Sequence, residues 1–144
     1  MKIEKEFEHE GRTYLIGTVD AIEQFHLFRR LTPLVSAMGL EMFKLLTGGK
    51  DTSSMSKTDW IVVAAPILGE MAKMPQDDVN YLIAGTLRVV RIKEGSVVAP
   101  VYHQESNTLM RQDLGMPTML RLMVEVLRHN MADFFPMPPD AASL

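Results

Sequence analysis

Four histidines are the side chains in this 144-residue sequence best suited to metal or acid–base chemistry, and their spacing argues against both. His9, His26, His103 and His129 stand far apart. None lies three to five residues from another, the separation that sets two imidazoles on one helix face, and no H-E-x-x-H is present. A metal site would have to be assembled by the fold from distant segments. Asp77-Asp78 is a carboxylate pair only on paper, because adjacent helical residues point about 100° apart. It reads instead as favourable charge at a helix N-terminus. No G-x-S-x-G occurs. Gly48-Gly49-Lys50 lacks the upstream glycine, the following Ser or Thr and the preceding strand of a phosphate loop. Ser53, Ser54 and Ser56 have no orienting base nearby. Tyr81, Tyr102 and Trp60 could stack nucleobases, but no basic residues interleave with them. The residues therefore assign no catalytic group, no metal ligand and no cofactor.

The totals narrow the class. The length suits one domain with one core. A hydrophobic fraction of 47% with 23% charged residues is that of an ordinary globular chain. A net charge of −3 gives no electrostatic case for nucleic acid. The chain has no cysteine, which removes disulfides and thiol chemistry and suits a reducing cytosol. The charged opening MKIEKEFEHE does not read as a signal peptide. No apolar run reaches the ~18 residues a spanning helix needs, so no membrane is expected. Twelve methionines stand out; they serve as soft core filler or as an adaptable binding surface.

The elements follow from patterning. Residues about 3–18 predict a β-hairpin turning at Glu10-Gly11, with Phe7 opposite Tyr14 and Lys5 opposite Ile16. Asp20 caps a helix whose apolar stripe projects as Ala21, Phe25, Phe28, Leu31, Val35 and Met38. Pro33 predicts a kink or break near residues 29–32, with helix resuming over 34–46 and weakened at Gly39. Residues 47–56 read as a mobile loop. A helix follows from Lys57 to about Lys73, with a second kink at Pro66. Another restarts at Met74-Pro75, and its spacing runs on through Val90 to an end at Glu94-Gly95. Residues 96–102, interrupted by Pro100, suit an edge strand or extended loop that pairs with residues 108–112. A last helix spans about Met116 to Phe134. The expected fold is mainly α: a compact domain of about four to five helices over residues 1–135, an N-terminal hairpin, room for a second short strand pair, and a loose Pro-rich tail at 136–144.

Two groups are candidates for partner contact. In the first helix, His26, Arg29 and Arg30 project away from the predicted apolar stripe, as either a solvated face or a docking face with arginine anchors. Met116, Met119 and Met123, with Phe134 and Phe135 before the tail, are either core or a soft groove for another helix.

The segments QFHLFRRLTP (24–33), MPQDDVNYLI (74–83) and MPTMLRLM (116–123), with Phe134-Phe135, resemble the tail assembly chaperones of long-tailed bacteriophages. The likeness runs from about Phe7 to Phe135. It implies a non-enzymatic helper that coats the long, helical, aggregation-prone tape-measure protein and helps recruit tail-tube subunits. It also implies action in the host cell cytoplasm and absence from the mature virion. Such proteins have no agreed catalytic or ligand residues, so the resemblance transfers no site. Self-association stays open. The competing reading is a small regulatory protein that binds a protein or nucleic acid through His26, Arg29 and Arg30.

Overall fold

A computed structural model describes residues 4–39 and 57–131. The chain opens with β1 (Lys5–His9) and β2 (Arg12–Ile16), paired in the expected register with Phe7 opposite Tyr14 and Lys5 opposite Ile16. Both turn residues, Glu10 (φ 52°) and Gly11 (φ 76°), take the left-handed backbone that matches the twist of a two-residue hairpin. Then come α1 (Ala21–Met38), α2 (Lys57–Met71) and α3 (Gln76–Leu87). Strands β3 (Val90–Glu94) and β4 (Val97–Pro100) follow, with the short pair β5 (Tyr102–His103) and β6 (Thr108–Leu109). Helix α4 (Met116–Met131) closes the described chain. The fold is mainly helical, as expected, with its hairpin and further strands.

The hairpin is half of a larger sheet. β1, β2, β3 and β4 form an antiparallel meander in that order, with β3 paired to β2 from Thr13–Lys93 to Ile16–Val90. The helix predicted to continue to Glu94 therefore ends at Leu87. Val90 happens to sit at helical spacing from Leu87 and Thr86. The exposed Arg91 and Lys93 between the buried Val90 and Ile92 carry the period of two that prevails. Strand β4 lies at the sheet edge, as Pro100 suggested, but its partner is β3. Only Tyr102–His103 pairs with Thr108–Leu109.

One sheet face, Phe7, Tyr14, Ile16, Val90 and Ile92, is buried, and α4 packs on β2. The other face carries ion pairs that cross from β3 to the N-terminal segment: Arg91 with Glu4, and Lys93 with Glu6 at 3.9 Å. At the sheet end Asp113 takes hydrogen bonds from Arg111 and Arg12. These pull its carboxyl down to about 2.

Helix α1 differs from its projection in two ways. It runs unbroken through Pro33, which is exposed. The carbonyl that proline cannot serve, that of Arg29, lies on the same outer side, where water can satisfy it. Second, the buried stripe is Leu27, Leu31 and Leu34, flanked by Phe28, Val35 and Met38, while Phe25 is 60% exposed. The stripe has rotated by a little under a quarter turn from the predicted centre. Gly39 (φ 61°) does not weaken a continuing helix; it caps this one, its N–H donating to the Val35 carbonyl. The predicted helix at 40–46, the loop at 47–56 and the tail at 136–144 lie outside the described residues.

Helix α1 packs on α2 and α3, and α3 on α4. Gly85 lets α3 approach α1 closely: a Cβ there would stand 2.7 Å from a Leu27 methyl. Leu31, Leu34, Trp60, Ala64, Ile67, Met71, Leu82 and Met123 are among the residues lining an apolar cavity of about 30 Å³ where the four helices meet. Lined by apolar side chains that offer water no hydrogen-bond partner, the space stays dry.

Candidate functional site

The polar trio of α1 divides. The side of the helix that faces α3 carries Glu23, His26 and Arg30, all half-buried. Arg30 donates from Nε to Asp78 at 3.3 Å, and its guanidinium lies 3.9 Å over the Tyr81 ring. Tyr81 donates to Glu23 at 2.7 Å, and Arg88 reaches the same carboxylate oxygen at 2.9 Å. Burial, and after it the Glu23 hydrogen bond, pushes the Tyr81 hydroxyl above its ordinary range. His26 meets the edge of Tyr81 with centroids 6.5 Å apart. These groups lock α1 to α3. Arg29 alone of the trio is exposed, touching His26 at 3.4 Å, and shares its side of α1 with Ile22 (72% exposed) and Phe25.

The methionines divide too. Met123 is core, Met119 packs partly buried against it, and Met116 is 55% exposed at the start of α4. Phe134 and Phe135 lie outside the described residues.

Helix α4 buries charge that its apolar stripe does not signal. Arg121 (2% exposed) and Glu125 (1% exposed) are buried one turn apart. The Arg121 guanidinium sits between two aromatic faces, 5.4 Å from the Phe7 centroid and 5.1 Å from that of Trp60. Lys5 donates to Glu125 at 3.4 Å. Asn130 is buried and fully engaged. Its Oδ1 accepts from the Val19 N–H at 2.7 Å, and its Nδ2 donates to the carbonyls of Gly17 and Val126. In sequence, Arg121 and Glu125 are spaced as an exposed helical ion pair would be, so only the apolar residues around the whole of α4 hinted at burial.

Among the described residues, no group of three or more His, Asp or Glu could hold a metal ion, and no helix is long and apolar enough to cross a membrane. What the surface offers is apolar side chains in water. Besides Ile22 and Phe25, α2 exposes Ile61 (56%) and Val62 (67%). No charged residue occurs from Trp60 to Gly69.

A family model described as phage tail assembly chaperone protein, TAC, matches residues 10–141. The chain belongs to that family. No curated protein and no solved structure matches it significantly. The family match covers α1 to α4 and most of the sheet, so the α1–α3 contact and the buried Arg121 and Glu125 of this tail assembly chaperone lie within it. Among the described residues, the chaperone's large exposed apolar side chains lie on α1, α2, β4, the loop at Met110 and the start of α4.

Proposed function

We propose that this tail assembly chaperone binds the tape-measure protein, keeps it soluble until the tail tube is built around it, and helps bring tail-tube subunits to it. The observation that carries this reading is the family match over residues 10–141. Its physical support is the set of large apolar side chains held in water on a framework that already buries a core of its own. Such a surface suits an unassembled amphipathic helix, whose apolar stripe otherwise aggregates. This function places the protein in the host cell cytoplasm during assembly and outside the finished virion.

Co-expression tests it. A tape-measure fragment that is insoluble alone is expected to become mostly soluble with this chain and to elute with it on size exclusion. A fragment equally insoluble in both cases would remove the proposal.

The regulatory alternative required His26, Arg29 and Arg30 to present one basic face. Arg30 is committed to Asp78 and Tyr81, which leaves Arg29 as the exposed cation of the three.

A further inference from the structure

Helix α2 is apolar on both sides. Its inner side, with Trp60, Ala64 and Ile67, is core. Its outer side, with Ile61, Val62, Ala65, Pro66 and Gly69, is exposed. A helix on the surface of a soluble domain ordinarily turns charge outward; one that is apolar all round is covered on both sides.

Gly69 is a second, independent sign. It lies within α2, its φ is not in the left-handed region, and nothing stands within 4 Å of where its Cβ would be. A helical glycine costs stability relative to alanine, and among the described residues nothing requires it. Glycine at an outer position does permit close approach from outside. With Ala65 one turn before it, the stripe is shallow enough for a second helix axis to lie against it.

We infer that the outer face of α2 is the docking surface for the apolar stripe of an amphipathic helix in another polypeptide. This rests on the reading that the chain has a helical client. The residues 61–69 span about 12 Å along a helix roughly 10 Å wide. Each face is about 120 Å² in outline, so two of them meeting in a symmetric pair would bury on the order of a few hundred Å², well short of the ~1,200 Å² that stable interfaces need. The face is too small for a lasting dimer of this chain. It suits a weak contact repeated along a long client, where many copies bind side by side. With no charge from Trp60 to Gly69, the contact selects an uncharged stripe and is insensitive to salt.

The absence of cysteine allows a clean test. In full-length protein carrying Val62→Cys, a maleimide dye is expected to react readily in the free chain at any dilution. Reaction should slow at least tenfold when the soluble tape-measure fragment is bound. Gly69→Leu should weaken fragment binding at least tenfold while leaving the melting temperature of the free chain unchanged or higher. Gln104→Asp, in the exposed β5–β6 turn, should change binding less than twofold. Slow labelling in the dilute free chain would mean that another segment of this chain, such as 132–144, covers the face. Labelling that slows only as the protein is concentrated would mean a second copy covers it. Either result overturns the inference. So does undiminished binding by Gly69→Leu, which leaves the client reading intact. Failure of the wild-type chain to bind the fragment removes both.

Discussion

Asn130→Ala is expected to lower the unfolding free energy by about 3 kcal/mol, the sum of one buried donor and one buried acceptor losing their partners. Asn130 is 4% exposed and ties three segments together. Its carbonyl oxygen holds the Val19 N–H at the entrance to α1 and also receives Gln24 Nε2 at 3.3 Å; its amide nitrogen holds the Gly17 carbonyl at the end of β2. Alanine takes the side-chain partners of the Val19 amide and the Gly17 carbonyl away at a buried position. The Val126 carbonyl is less affected, because the helix itself supplies a donor. Asn130→Asp would not rescue: it keeps an acceptor for Val19 but sets a negative charge against two carbonyl oxygens. In a domain of this size the alanine variant should melt roughly 10 °C lower. Urea unfolding followed by circular dichroism checks the figure, and a change below about 0.5 kcal/mol would show that the β2–α1 connection is not held from α4.

Trp60→Ala should be at least as severe, about 3–5 kcal/mol for a large aromatic removed from a packed core. Trp60 is the only tryptophan and is 3% exposed. It joins α2 to α4 twice, by its indole N–H donating to the Pro117 carbonyl at 3.3 Å and by covering one side of the Arg121 guanidinium. Removing it enlarges the cavity it lines and takes one aromatic face from a buried cation. Trp60→Phe keeps an aromatic ring but loses the indole donor, so it should recover more than half of the loss. Equal destabilisation by Phe and Ala would show that the hydrogen bond, rather than the stacking and volume, fixes α2. Loss of α2 packing would also disturb its outer face, so client binding should fall with stability in this series and not in Gly69→Leu.

The sequence disclosed those parts of the fold that depend on local chemistry. The Glu10-Gly11 turn and the alternation around it fixed the hairpin register, and Asp20 marked the start of α1 by accepting from the Glu23 N–H. Lys57 and Met116 likewise began helices where patterning placed them. Longer-range features were hidden. Strand β3 is five residues long and its partner β2 lies before α1, α2 and α3 in the chain, so its two buried residues were too few to oppose the helical spacing that included Val90. The phase of α1 was ambiguous because it is apolar at Phe25 as well as at Leu27, and only contact with α2 and α3 decides which turns inward. Arg121 and Glu125 concealed their burial because a pair one turn apart looks the same on a surface. The candidate site was legible in one respect that patterning undervalued: the uncharged run from Trp60 to Gly69, too short for a membrane and too long for one buried face.

Titration calorimetry of the purified chain with a soluble tape-measure fragment, at two temperatures and at low and high salt, tests most directly that the protein works through apolar surface. The expected result is a negative heat-capacity change with an affinity that holds or rises as salt increases. An affinity that collapses in high salt with a heat-capacity change near zero would assign recognition to charge and contradict the account.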